Sequence, residues 1–199
     1  MSLTELKRLD IESVERVYEE RLTVDFPPEE LKPLSVITTL MRRGLYICYG
    51  MFDEGVMVAY AFFVKMDGYR DILIDYLAVS EMARGKGYGS QFIDLMKEEL
   101  KEFDSIVFEV ESGKSAKTCE GVEVCQKRLA FYRKNGLQDS SLRLSLFGID
   151  MRVLYLPLSN APSDEAIKEV LELIYDEFYG VEIHKEKVII SYGQTESWN

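Results

Sequence analysis

Residues Tyr69 to Leu100 read YRDILIDYLAVSEMARGKGYGSQFIDLMKEEL, and this stretch decides the fold. Apolar β-formers at Ile72, Leu73, Ile74, Tyr76, Leu77 and Val79 predict a strand at its start. At its end, Phe92, Ile93, Met96 and Leu100 fall on one side of a helix, with Gln91, Asp94, Lys97, Glu98 and Lys101 on the rest. Between the two lies Arg84-Gly85-Lys86-Gly87-Tyr88-Gly89, which sets glycines at the mouth of that helix. Glycine has no Cβ, so backbone N–H groups there can come close to a ligand. The first N–H groups of a helix have no internal partners and sit at its positive dipole end. The pattern therefore predicts an anion site with a phosphorylated occupant.

Two common phosphate motifs do not fit. A dinucleotide fingerprint read from Gly85 would need a glycine where Ser90 stands. Gly113-Lys114-Ser115 has the end of a P-loop, but the leading glycine would fall at Phe108, so it is read as a chance match.

Composition narrows the classes further. A chain of 199 residues, 47% hydrophobic and 30% charged, is long enough for a full core in one domain, with or without an appendage. A net charge of −11 speaks against nucleic acid and would attract cationic small molecules such as amines. The three cysteines, Cys48, Cys119 and Cys125, lack CxxC spacing, which predicts no disulfide framework or zinc site. With His184 as the only histidine, neither a His-dependent triad nor a metal site is expected. The longest apolar run, Gly55 to Val64, is too short for a bilayer and no signal-peptide pattern opens the chain, so a cytoplasmic protein is expected.

Along the chain, Leu3–Leu9 predicts a strand and Asp10 an N-cap for a helix carrying Ile11, Val14, Val17 and Tyr18. A second helix is expected from Glu29 to about Arg43, ended by Gly44. Leu45–Phe52 and Val56–Met66 predict strands around a turn at Asp53-Glu54-Gly55. Ser105–Glu111 predicts another strand, Ser112–Val122 a loop and Glu123–Asn135 a helix stopped by Asn135-Gly136. Two strands, Leu142–Phe147 and Met151–Leu158, follow. Past Pro162, Ser163 caps a helix bearing Ile167, Val170, Leu171, Ile174, Tyr175 and Phe178, which Gly180 should stop, with short strands in Val181–Tyr192.

Arg84, Gly87 and Gly89 spell [QR]-x-x-G-x-[GA] and resemble the pyrophosphate loop of the GCN5-related N-acetyltransferases (GNAT family). Leu77-Ala78-Val79 resembles the family's strand that ends in a bulge beside the cofactor. Phe131-Tyr132-Arg133-Lys134-Asn135-Gly136-Leu137 resembles its F-Y-x-x-x-G-F signature, with Leu137 in place of the last Phe. The resemblance covers about residues 1–158 and implies an α/β (α+β) fold, a mixed, mostly antiparallel central sheet flanked by helices. Residues 1–160 would form the acetyltransferase domain. Residues 161–199 would be a helix-and-strand extension docked on that domain or on a partner subunit, a homodimer being one such assembly.

The resemblance also implies acetyl-CoA as co-substrate, no metal, and a primary amine of a small molecule or peptide as acceptor. The fourth and fifth strands would be parallel and splayed around the pantetheine arm. That arm would bond to backbone at Leu77, Ala78 and Val79, and the pyrophosphate to amides of Gly85, Lys86, Gly87, Tyr88, Gly89 and Ser90, helped by Arg84 and Lys86. Tyr132 would be the acid that protonates the leaving thiolate. Glu111 is the first choice of base, with Glu109, Asp75 or a water chain as alternatives. The family's asparagine after the fifth strand has no counterpart in ESGKSAKTCEGVEVC, residues 111–125. Two other readings stay open: a non-catalytic acyl-CoA sensor or structural module on the same fold, and another nucleotide-binding α/β protein.

Overall fold

The structure, a computed structural model, describes residues 4–113 and 119–193. Leu3, the Lys114-Ser115 pair of the Gly-Lys-Ser stretch, and the terminal Ser197-Trp198-Asn199 lie outside the described residues. The chain divides into two units, one of Met1–Asp67 with Ile74–Glu99 and one of Gly68–Leu73 with Leu100–Asn199.

In the first unit, strand β1 (Glu5–Arg8) lies antiparallel to β2 (Tyr46–Asp53), which pairs antiparallel with β3 (Val56–Val64). Strand β4 (Asp71–Val79) comes next in order and has its first three residues in the second unit. The β2–β3 turn places Glu54 at φ 49° and Gly55 at φ 81°, the left-handed pair that a two-residue hairpin needs. Helix α1 (Ile11–Val17) is capped by the Asp10 carboxylate, which accepts from the Ser13 N–H at 2.9 Å. It runs on through a π-helical turn (Tyr18–Leu22) into the short α2 (Thr23–Asp25).

The second predicted helix begins later than its sequence indicated. A 3₁₀ turn spans Pro28–Glu30, and α3 covers only Leu34–Arg42. Pro33, with extended backbone, is its N-cap, and proline disfavours helical backbone in Lys32 before it, so the helix does not reach back towards Glu29. Helix α4 (Tyr88–Glu99) buries Phe92, Ile93 and Met96, as its spacing predicts.

In the second unit the strand order is β5 (Ser105–Glu111), β7 (Ile149–Pro157), β6 (Gln138–Leu146), β8 (Val188–Tyr192), with each adjacent pair antiparallel. Helix α5 (Cys119–Lys134) precedes β6 and ends at Gly136, whose φ of 93° supplies the left-handed stop. Helix α6 (Asp164–Lys187) is capped by Ser163 and buries Ile167, Val170, Leu171, Ile174 and Tyr175.

Gly180 does break this helix, at φ 75° and ψ 154°, but helix resumes beyond it where strands were expected. The segment after the break folds back, since His184 Nδ1 lies 2.6 Å from Asp176 Oδ1. Along an unbroken helix those residues would be about 12 Å apart. Strand pairing starts only at Val188, opposite Leu146.

Candidate active site

The glycine-rich turn belongs to the first unit. A 3₁₀ turn (Glu81–Ala83) links β4 to Arg84, and α4 starts at Tyr88. Gly85 and Gly87 take φ 76° and 88°, backbone that L side chains rarely adopt. A Cβ built on either would meet no atom within 4 Å. The turn is thus an open backbone cradle at the positive end of a twelve-residue helix, which fits a diphosphate.

Arg84, with its side chain 61% exposed, donates from Nε to the Val79 carbonyl at 3.2 Å and holds Nη2 4.0 Å from Asp25 Oδ1. This contact ties the end of β4 to the turn. The Tyr88 hydroxyl donates to Asp53 at the β2–β3 hairpin, which anchors the first residue of α4.

The first unit also contains a buried polar cluster that no local pattern announced. Asp75 accepts a hydrogen bond from Lys32 Nζ at 2.6 Å and another from the Tyr46 hydroxyl. The Lys32 and Asp75 side chains are 13% and 7% exposed. Burial, then the Asp75 charge, pushes the Tyr46 phenol well above its usual range. Burial does the same to the Cys48 thiol. The Tyr76 hydroxyl accepts from the Lys32 backbone N–H at 2.9 Å and donates to the Glu30 carbonyl at 2.9 Å. The segment before α3 is thereby pinned to β4.

Tyr132 and Glu111 belong to the second unit. Tyr132, on α5, is half-buried with its ring 5.2 Å from Phe108 of β5 and 5.5 Å from Phe131. Burial raises its phenol above the usual range, and the Arg128 charge offsets part of this. Glu111 ends β5 opposite Met151, and its charge adds to the burial that raises the Cys125 thiol. Glu109 accepts from the Tyr175 hydroxyl of α6 at 2.5 Å. Successive residues of a strand face opposite sides, so α5 touches β5 on the Phe108 face and α6 on the Glu109 face. Among the described residues no group of three or more His, Cys, Asp or Glu side chains is placed to hold a metal ion, and no helix is long and apolar enough to cross a membrane.

The sequence profile of the acetyltransferase (GNAT) family matches residues 11–120, more than half of the chain, so this protein belongs to that family. The match ends before Tyr132. Among curated relatives, the provisionally assigned acetyltransferase YjbC of Bacillus subtilis is 29% identical in an alignment of 175 residues that covers 84% of this chain and 82% of YjbC. Solved structures agree on the fold, a mixed sheet flanked by helices. One is a provisionally assigned GNAT acetyltransferase from Bacteroides thetaiotaomicron, with a TM-score of 0.69 at 20% identity, covering 89% of this chain and 99% of its own. Another is the spermidine N-acetyltransferase of Vibrio cholerae in complex with CoA and spermine, with a TM-score of 0.58 at 12% identity, covering 79% and 96%.

Proposed function

We propose that this protein transfers the acetyl group of acetyl-CoA to a primary amine by direct attack in a ternary complex. The observation that carries this reading is the open cradle at Gly85 and Gly87, leading into the N-terminus of α4 in a chain of this family. Backbone amides from Gly85 to Ser90 hold the coenzyme diphosphate, with Arg84 and Lys86 adding charge. The pantetheine arm lies along Leu77, Ala78 and Val79. The amine nitrogen attacks the thioester carbon, the C–S bond breaks, and Tyr132 gives its phenolic proton to the departing sulfur. Glu111 takes the proton lost by the amine.

Asp75 is the weakest of the three carboxylates for that role, because Lys32 and Tyr46 already occupy it. Glu109 is second, held by Tyr175. The net charge of −11 favours a cationic acceptor, and the Vibrio cholerae relative in complex with spermine is consistent with that choice. Residues 1–160 form the acyl-transfer domain in this reading, and 161–199 its extension.

The test is release of free thiol from acetyl-CoA across a panel of polyamines, amino acids, aminoglycosides and peptide N-termini. Amine-dependent release is expected. Binding of acetyl-CoA with no release on any amine would replace catalysis by a sensor role.

A further inference from the structure

A polar recess lies in the second unit, along strands β7, β6 and β8. Strand register builds it. Arg143 of β6 lies directly opposite Arg152 of β7 on one side and Ser191 of β8 on the other. Two residues along, Ser145 lies opposite Asp150 and Ile189. Residues two apart on a strand share a face, so these two rows form one surface. All six line a recess of about 180 Å³, and Ser112 joins its rim through the bond its N–H donates to the Asp150 carbonyl at 2.9 Å.

Its electrostatics set it apart from the rest of the chain. Like charges directly opposite each other on neighbouring strands are destabilising, and Arg152 is only 7% exposed, so water screens it poorly. Asp139 compensates in part. It accepts from Arg152 Nη1 at 3.0 Å, but it is shared with Arg133, whose Nε donates to it at 2.9 Å. Among the described residues, the guanidiniums of Arg133 and Arg152 share the Asp139 carboxylate, and Arg143 stands beside Arg152 in the ladder.

Arg143 is also held in place. Its Nη1 donates to the Leu142 carbonyl at 2.8 Å, and its side chain runs over Gly193, where a Cβ would come within 2.9 Å of Arg143 Cγ. Guanidiniums and serine hydroxyls are the donors that recognise tetrahedral oxyanions.

We propose that this recess binds a single tetrahedral oxyanion of the phosphate type, between Arg143, Arg152 and the hydroxyls of Ser112, Ser145 and Ser191. The site stands independently of the acyl-transfer reading.

The test titrates the full chain with inorganic phosphate at constant ionic strength, with chloride as the control anion, and follows heat and thermal stability. Saturable binding is expected in the wild type. Arg143→Gln should weaken it about tenfold or more, the usual consequence of losing a charge-assisted hydrogen bond. Gly193→Ala keeps every guanidinium but displaces Arg143, and should weaken binding as well; it decides the matter if Arg143→Gln does not fold. Arg84→Gln should leave the Arg143-dependent phosphate binding unchanged, whatever it does at the glycine-rich turn. No saturable binding in the wild type would overturn the proposal. So would unchanged affinity in folded variants at 143 and 193, or a loss confined to Arg84→Gln, which would move the phosphate to the glycine-rich turn.

Discussion

Replacing Gly87 by alanine separates the backbone strain of the glycine-rich turn from its use as a ligand cradle. Gly87 sits at φ 88° and an added Cβ would meet nothing within 4 Å, so the cost to stability is strain alone. Left-handed backbone costs an L residue about 1–2 kcal/mol. In a chain of this length each kcal/mol moves Tm by about 2–4 °C, so a fall of about 2–8 °C is expected. Gly44, just past α3, has φ 73° and equally open space, which makes Gly44→Ala a control with matched strain. The two variants should part when acetyl-CoA is added. At 100 times its Kd the coenzyme stabilises by about 2.7 kcal/mol, an upshift of about 5–11 °C. Gly44→Ala should keep that upshift, whereas Gly87→Ala should lose most of it, because the new methyl group stands where the diphosphate would lie. A thermal-shift titration reads both quantities. Equal upshifts in the two variants would refute the cradle.

Tyr132→Phe should lower kcat by about 100-fold or more while leaving acetyl-CoA affinity unchanged, and an unaltered kcat would remove the acid role. Because burial raises the Tyr132 phenol above its usual range, the alkaline fall in kcat should come above about pH 10. Lys32→Met strands the Asp75 carboxylate in a buried site, and urea unfolding should show a loss of about 3 kcal/mol; a loss below about 1 kcal/mol would contradict the cluster's place in the core. Burial raises the Asp71 carboxyl despite the 2.6 Å hydrogen bond it accepts from Ser105, so the folded state holds that proton more tightly than the unfolded chain does. Stability therefore falls as pH rises from the unfolded value of about 3.9 through the raised folded one. Asp71→Asn should gain on the wild type across that window and hold its advantage above it, and a difference in urea midpoint independent of pH would count against this.

What the sequence made legible was local. The turn at Asp53-Glu54-Gly55, which closes on Glu54 and Gly55, the stop at Asn135-Gly136 and the glycine turn leading into α4 each depend on backbone preferences within a few residues, and the structure has all three. What it hid was long-range or ambiguous. Lys32 and Tyr46 meet Asp75 from 43 and 29 residues away, and Tyr175 meets Glu109 across 66, so no spacing rule could pair them. Gly180 read correctly as a break, but a glycine break does not say whether strand or helix follows. The Asp176–His184 contact that accompanies the resumed helix exists only after the chain has folded back.

The arginine recess is the extreme case of such long-range dependence. Between Asp139 and Arg143 the pairing of β6 with β7 shifts register, and Ser140 fills the irregularity by donating its hydroxyl to the Val153 carbonyl at 2.8 Å. The shift amounts to two residues, so each side chain keeps its face while its partner across the ladder changes. Without that shift Arg143 would stand opposite Asp150 instead of Arg152, and the directly opposed pair of guanidiniums would be lost. A variant that restores regular pairing at Ser140–Leu142 should therefore weaken phosphate binding while keeping every charged residue, because Arg143 would then pair with Asp150. This ties the site to the strand register as well as to the composition of its lining.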